Sequence, residues 1–163
     1  MSKEPRERFQ DLLESFTTGM LVTQGPDGLM TGRPMNIASI ESDADVWFCT
    51  SIKSEKVDDL AAHPQVLVTF QDSGRHLTLN GAAELVKNKP KIAELWNESW
   101  KVWFPDGQDD PNLALLHVKA SHGQYWDNSW LQGLSYAIRA GQAYWKGEQP
   151  EIPEDVNAKV TLG

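Results

Sequence analysis

The chain has 163 residues, of which 40% are apolar, with seven Trp and five Phe. This is enough for a hydrophobic core in one domain spanning 1–163. The formal net charge of −8 repels phosphate backbones and anionic lipids, so we expect no nucleic-acid and no membrane partner. Cys49 is the only cysteine, which excludes an internal disulfide and a cysteine zinc cluster and fits a reducing cytosol. With no apolar leader and no run of about 20 apolar residues, we expect a cytoplasmic protein.

The N-terminal third of the sequence predicts a helix followed by a β-hairpin. Apolar residues recur at helical spacing over 9–16, which indicates an amphipathic helix within 1–18. The turn GPDG then separates two β-rich runs, which predicts a hairpin over 19–40. We expect an irregularity at Gly32-Arg33-Pro34, with Pro34 at a sheet edge or bulge, because proline cannot donate to a ladder.

The middle of the sequence predicts a strand over 46–51 and a helix that begins after it. Ser54 is placed to cap this helix, and Pro64 is expected to stop it. Its apolar face is predicted to consist of Val57, Leu60 and Ala61.

The remaining elements follow in short succession. Two strands, over 65–71 and 76–86, are predicted to meet at a turn around Asp72-Ser73-Gly74, with Leu77 and Leu79 facing one side. An amphipathic stretch over 91–104 precedes a strand or strand pair over 113–126. A glycine-weakened helix over 131–145 and a loosely ordered tail over 148–163 complete the chain. Many short strands with irregularly spaced helices favour a mainly β, α+β fold built as an antiparallel barrel.

The segment over 50–56 has the composition of a phosphate-binding turn. A strand ends in hydroxyl residues and leads into a helix whose first turn contains Lys56. Free amides at a helix N-terminus, hydroxyls and a lysine together suit an anion. Taken alone, the same residues are equally explained by Ser54 as an ordinary cap and Lys56 as a solvated side chain.

Arg33 is the second candidate for this chemistry. It precedes a proline in a strand of small and apolar residues, so its guanidinium is expected to face an acidic partner, either a phosphate or a carboxylate. A surface salt bridge is the common fate of a lone arginine. Together with the segment over 50–56, however, Arg33 makes the anion-site interpretation equally strong.

The order of these motifs resembles a known family. GRPMNI, then VWFCTSIKSEKVDDLAAHPQVLVTF, then NGAAELV is similar to the pyridoxamine-phosphate oxidase-like FMN-binding split barrels. The later stretch WFPDGQDDPNLALLHVKASHGQYWD resembles the general stress protein branch. The resemblance implies an antiparallel split β-barrel with flanking helices, a homodimer with flavin at its interface, and FMN, or FAD, as cofactor.

The resemblance also implies which residues meet the flavin. Arg33 would approach the phosphate, and the backbone of Pro34, Met35 and Asn36 would run along the ring. The end of the next strand and the turn after it would meet the ring, the ribityl chain and the phosphate through Phe48, Cys49, Thr50, Ser51, Ser54 and Lys56. Aromatic residues of the second chain, with Trp103, Phe104 and Trp126 as candidates, would cover the flavin. The oxidases carry an arginine where this chain has Glu55, so one phosphate contact is absent.

The other aromatic and histidine residues carry competing interpretations. Trp96 and Trp100 are assigned to packing, and packing competes equally with flavin cover for Trp103. His76 lies where relatives can place a polar group towards the ring, although an exposed strand histidine accounts for it better. His63, His117 and His122 lack metal-ligand spacing, so no metal site is predicted.

The resulting functional hypothesis is an FMN-binding flavoprotein that works as a small oxidoreductase or flavin reductase of the general stress protein type. The alternative is a non-catalytic flavin-binding, flavin-buffering or redox-responsive protein. The basic C-terminal motif of true pyridoxamine-phosphate oxidases is missing, so efficient oxidation of pyridoxamine phosphate is not expected. Barrels that bind haem or the deazaflavin F420 are a third, less favoured possibility. The sequence names no catalytic residue, substrate or electron donor.

Overall fold

The computed structural model describes residues 3–129, 134–147 and 156–163, and gives the backbone alone for residues 134–136. The helices are α1 (Pro5–Glu14), α2 (Glu55–Ala62), α3 (Lys89–Leu95) and α4 (Leu134–Lys146), with two 3₁₀ turns at Glu98–Val102 and Gly107–Asp109. The strands are β1 (Thr18–Gln24), β2 (Met30–Ile40), β3 (Val46–Ser51), β4 (Gln65–Asp72), β5 (Arg75–Val86), β6 (Leu113–Asp127) and β7 (Asn157–Thr161).

The strands form one antiparallel sheet that closes on itself. Within the described ranges the order is β3-β2-β1-β4-β5-β6-β7, and β3 also pairs with β6. Six strands therefore form a closed barrel, and β7 extends the sheet beyond β6. Closure removes the exposed edges that an open sheet would leave. This architecture confirms the predicted antiparallel split barrel flanked by helices.

The main core fills the barrel and continues under α1. Inward-facing side chains such as Phe48, Phe70 and Leu79 are at most 1% exposed. Phe9 of α1 is fully buried and lies over Gly123, where an added Cβ would meet the Phe9 ring at 2.2 Å. A glycine in β6 thus makes room for the helix. The predicted apolar face of the N-terminal helix is confirmed, although the helix ends at Glu14, earlier than position 18.

The hairpin is confirmed, but its irregularity lies elsewhere than predicted. β1 pairs with β2 in unbroken register from Thr18↔Asn36 to Gln24↔Met30, so the predicted irregularity at 32–34 is wrong. The register shift falls between Ile37 and Ser39, where β2 begins to pair with β3. Pro34 pairs with Met20 of β1 and lies before the pairing with β3 begins, so its missing N–H breaks no ladder with β3.

A second, smaller core lies outside the barrel. Trp47, Phe104 and Leu113 belong to it, and Trp96 and Trp100 pack against it. The packing predicted for those two tryptophans is confirmed. The amphipathic stretch predicted over 91–104 packs its apolar residues into this core, but it is divided into two elements, since α3 ends at Leu95 and a separate 3₁₀ turn follows. The Asn97 side chain accepts from Ser99 N at 2.9 Å and starts the new turn.

The C-terminal half departs from prediction in its last strand. The predicted strand or strand pair over 113–126 is one strand, β6, with a register shift opposite Asn80 and Gly81. The tail predicted to be loosely ordered contains β7, whose residues pair with β6 from His122 to Trp126. Residues 148–155 of that tail, and 131–133 of the predicted helix that contains α4, lie outside the described residues. In the part of the chain that the structure describes, no helix has the length and apolarity needed to span a lipid bilayer.

Candidate functional site

Arg33 of β2 and Lys56 of α2 come together beside the barrel. α2 follows β3 directly and packs against β1 and β5. β1 pairs with the strand that carries Arg33. The Lys56 side chain is 8% exposed, and the positive charge of Arg33 is close enough to lower the pKa of Lys56. The two cations singled out in the sequence therefore share one site, which we call the cradle (Arg33, Lys56 and the residues that contact them).

A short hydrogen-bond chain fixes Arg33. Its guanidinium donates to Thr23 Oγ1 at 2.8 Å, and that hydroxyl donates to Asp59 Oδ2 at 3.0 Å. Asp59 also lies 3.7 Å from Arg33 Nη2 as an ion pair. Thr23 is fully buried, so this chain supplies the partners that a buried hydroxyl requires. Asp59 therefore partly neutralises Arg33 and orients it.

Lys56 has no comparable acidic partner in the part of the chain that the structure describes. Its Nζ donates to Ser54 Oγ at 2.7 Å, and in the described ranges no ion pair involves it. Burial is the largest cause that lowers the pKa of Lys56, and the Arg33 charge lowers this pKa further. Cys49 raises it. A buried ammonium next to a second cation is costly without an anion to compensate. The cradle thus has the electrostatics of an anion site.

The turn between β3 and α2 is folded differently from the predicted cap. Ser54 does occupy the N-cap position of α2, but its side chain makes no capping hydrogen bond and instead accepts from Lys56. The buried residues of α2 are Lys56 and Leu60, while Val57 is half-buried and Ala61 exposed. The predicted apolar face is therefore wrong except for Leu60, because α2 turns the Lys56 stem inward.

The end of β3 contributes a thiol and two hydroxyls. Thr50 is 4% exposed, and its Oγ1 has no hydrogen-bond partner among the residues that the structure describes. Ser51 Oγ accepts from Lys53 N at 3.2 Å. Burial raises the pKa of Cys49 to about 12, and the nearby Lys56 opposes that rise. The orphaned Thr50 hydroxyl is the kind of group that a bound molecule or a water satisfies.

We expect Cys49 to be chemically inert in the folded protein. With its pKa at about 12, the thiolate that reacts with iodoacetamide is about a thousandfold scarcer at pH 8 than for a free cysteine. Alkylation followed by mass spectrometry should rise about tenfold for each pH unit between 8 and 10. The urea-unfolded chain is the control, because it carries the same thiol without burial. Equal rates in the folded and unfolded chains would contradict this prediction.

Several predicted site residues lie in the cores instead. Met35 and Phe48 belong to the main core, and Phe104 belongs to the second core. All three are at most 8% exposed. Met35 and Phe48 could therefore meet a ligand only through their backbone. The Phe104 ring packs inside its own chain, and its contact with a partner's flavin stays a prediction.

The other predicted residues are at the surface. Pro34 and Asn36 are exposed on β2, and Thr18 Oγ1 donates to Asn36 Oδ1 at 3.3 Å. Trp103 is 77% exposed after the first 3₁₀ turn. Trp126 is half-buried and lines a groove on the outer face of the barrel together with His76. Their contact with a flavin stays a prediction.

A cluster that the sequence gave no reason to expect joins Glu41, Asp45 and His117. One ligand atom from each lies within 4.8 Å of the others. Asp45 is held by Ala120 N at 2.9 Å and by His117 Nε2 at 2.7 Å. Glu41 Oε1 accepts from Lys91 Nζ at 3.2 Å, so a cation already balances this carboxylate. The cluster therefore joins the turn between β2 and β3 to β6 and α3 without needing a metal.

Sequence reasoning also missed Thr23 and Asp59. Asp59 lies three residues after Lys56, so helical spacing could have placed both on one face of α2. Thr23 could not have been found in this way, because its contact with Arg33 depends on the hairpin register. The same is true of the Glu41, Asp45 and His117 cluster, whose members are up to 76 positions apart.

The family of this chain follows from comparison with known proteins. Residues 4–151 match the family model described as pyridoxamine 5'-phosphate oxidase like. The chain belongs to the pyridoxamine 5'-phosphate oxidase-like family. The split barrel with flanking helices of this pyridoxamine 5'-phosphate oxidase-like protein is similar to solved structures of general stress proteins.

Three known proteins illustrate what the chain is similar to. General stress protein 26 of Bacillus subtilis is 22% identical over 121 residues, covering 70% of this chain and 82% of that protein. Protein bli-3 of Neurospora crassa is 28% identical over 129 residues, covering 69% of this chain but only 62% of the fungal protein. The solved structure of a general stress FMN/FAD binding protein from Xanthomonas citri is 32% identical, with a TM-score of 0.66 over 78% of this chain and 91% of that one.

Proposed function

We propose that this protein binds FMN and holds the flavin phosphate in the cradle. The observation that carries the proposal is the pairing of Arg33 with a Lys56 that is 8% exposed and has a hydroxyl as its hydrogen-bond partner. A phosphate dianion would compensate both charges and accept hydrogen bonds from both side chains. The Xanthomonas citri relative, described as an FMN/FAD binding protein, supports the same ligand class.

The residues around the cradle fit such a ligand. Ser54 and Ser51 present hydroxyls on the turn that carries Lys56, and α2 begins there with free backbone amides. Glu55, where the oxidases carry an arginine, is exposed and does not enter the cradle. The missing contact therefore leaves Arg33 and Lys56 as the two phosphate-binding cations.

The activity we assign is that of a small oxidoreductase or flavin reductase. A bound flavin supplies hydride and electron transfer, and the protein binds, orients and shields it. We place the flavin at the interface of a homodimer in the cytoplasm, with Trp103 and Trp126 as candidate covers from the second chain. FAD is a candidate in place of FMN, since the relative is described as binding either.

The test compares FMN with riboflavin, which lacks the phosphate. Each flavin is titrated into flavin-free protein, and quenching of its fluorescence gives the dissociation constant. The dissociation constant of FMN should be at least about a hundredfold lower than that of riboflavin, because two charge-assisted contacts depend on the phosphate. Equal affinities would remove the cradle from flavin binding. The absence of binding by either flavin would overturn the proposal.

A second measurement separates the enzyme from the alternative, a non-catalytic flavin-binding or flavin-buffering protein. The FMN-loaded protein is mixed with NADH or NADPH without oxygen, and its absorbance near the flavin maximum is followed. A reductase should bleach and then recover its colour when air is admitted. A binder should keep its colour throughout.

A further inference from the structure

The cradle contains a carboxylate that an anion site does not need. Asp59 follows Lys56 by three positions in α2, so both residues lie on one side of the helix. Asp59 Oδ2 lies 3.7 Å from Arg33 Nη2 as an ion pair. A negative charge at this distance opposes the binding of a phosphate to the same guanidinium. Asp59 therefore weakens the attraction that Arg33 and Lys56 exert on a phosphate.

The charge of Asp59 acts on Arg33 and leaves Lys56 uncompensated. Thr23 Oγ1 accepts from Arg33 Nη1 at 2.8 Å and donates to Asp59 Oδ2 at 3.0 Å, which fixes the carboxylate beside the guanidinium. Among the described residues, Asp59 forms an ion pair with Arg33 and none with Lys56. The cradle thus combines two cations with one carboxylate, which leaves one net positive charge.

The low exposure of this ion pair makes its charges effective. The Arg33 and Asp59 side chains are 21% and 13% exposed, so water screens them only in part. Coulomb energy is proportional to the product of the charges, and Asp59 therefore opposes a doubly charged phosphate twice as strongly as a singly charged one. The phosphate of FMN is a monoester with a second pKa of about 6, so it is a dianion at pH 8. Each phosphate of FAD is a diester and carries a single charge.

These charges assign a role to Asp59. We propose that Asp59 is a specificity-determining residue of the cradle, which reduces the preference for the dianionic phosphate of FMN over the monoanionic phosphates of FAD. The inference rests on the proposed function, because it requires a flavin phosphate in the cradle. The carboxylate thus costs the protein FMN affinity and widens the range of flavins that it accepts.

A purely structural role of Asp59 makes a different prediction. α2 packs against β1, and the hydrogen bond from Thr23 to Asp59 joins the two elements. If Asp59 served only to hold α2 in place, its loss would change the affinities for FMN and FAD by the same factor, because both flavins would meet the same displaced cations. The ratio of the two affinities therefore separates a charge effect from a structural one.

The test is Asp59→Asn, with FMN, FAD and riboflavin titrated by calorimetry at pH 8 into the flavin-free full chain. Asparagine keeps the shape of the side chain and an oxygen that can accept from Thr23, but it removes the charge. Affinity should rise about tenfold for FMN and about threefold for FAD, in keeping with their two charges and one. Riboflavin, which has no phosphate, should bind with unchanged affinity. Asp59→Ala removes the same charge with a different side chain and should give the same order of effects.

Asp58→Asn is the matched control. Asp58 is the neighbouring residue of α2 and is exposed, so its replacement changes the net charge of the protein by the same amount. Water screens an exposed charge, and FMN affinity should change by less than about twofold. An equal gain in Asp58→Asn and Asp59→Asn would overturn the inference, because the effect would then come from the overall charge of the protein.

Two further results would also overturn the inference. One is a weaker FMN affinity in both Asp59 variants, and the other is an equal change for FMN and FAD. A clear preference for FMN over riboflavin that neither Asp59 variant alters would refute the role of Asp59 and leave the proposed function standing. An unchanged protein that binds FMN no better than riboflavin would refute the proposed function, and the role of Asp59 with it.

Discussion

Replacing Lys56 with methionine should weaken FMN binding about thirtyfold, equivalent to about 2 kcal/mol, without destabilising the flavin-free protein. The loss follows from removing a charge-assisted hydrogen bond to the phosphate from a side chain that is 8% exposed. Methionine keeps most of the buried stem. Because burial and the Arg33 charge both disfavour the ammonium, its removal relieves a cost in the unliganded state.

FMN affinity and protein stability, measured on the same variant, distinguish a binding role of Lys56 from a structural one. FMN titration by fluorescence gives the affinity, and urea unfolding of the flavin-free protein gives the stability. Lys53→Met is the matched control, because Lys53 is exposed in the same turn and contributes its backbone N–H to Ser51. It should change FMN affinity by less than about twofold. A Lys56→Met protein that unfolds more easily and binds FMN normally would show that Lys56 serves the fold.

Replacing Gly81 with alanine should lower the free energy of unfolding by about 3 kcal/mol. An added Cβ would lie 2.4 Å from the carbonyl oxygen of Lys119, which is backbone and cannot rotate away. Gly81 also stands at the register shift between β5 and β6, where the long β6 changes its partner from β7 to β3. The substitution should therefore strain barrel closure itself.

Gly32→Ala provides the comparison within the same barrel. Gly32 is also a strand glycine, but an added Cβ would come no closer than 3.5 Å to the flexible Met20 side chain. The free energy of unfolding of the Gly32→Ala protein should change by less than about 0.5 kcal/mol. Urea unfolding followed by tryptophan fluorescence measures both variants. Equal midpoints for the two variants would show that the β5 and β6 backbones can separate at Gly81 without loss.

Local pattern was sufficient for most elements of this fold. Helical spacing at Phe9, Leu12 and Leu13 predicted α1, and the turn GPDG predicted the hairpin, because both signals act over a few residues. The position of α2 followed from the cap and from Pro64 for the same reason. The strand β7 was missed, because a short run such as NAKVT becomes a strand only when another strand offers it hydrogen bonds.

The cradle was predicted in part. Arg33, Ser54 and Lys56 were found from residue type and order, and the structure brings them together. The position of Phe104 in the second core was not predicted, because an aromatic residue near a predicted ligand has the same appearance in sequence as one that fills a core. Thr23 and Asp59 were not found, since their roles depend on which side chains the hairpin and α2 turn towards Arg33.

The sequence by itself determined the strand-rich composition, the order of the elements, the family resemblance and the two cations of the cradle. Only the tertiary structure decided that the barrel closes through β3 and β6, that β7 extends the sheet, and that Lys56 is buried with no acidic partner among the described residues. The physical reason is the distance along the chain over which each kind of interaction acts. Propensity, capping and periodicity act within one element, whereas closure, burial and the meeting of Arg33 with Lys56 are set by contacts between elements distant in the chain.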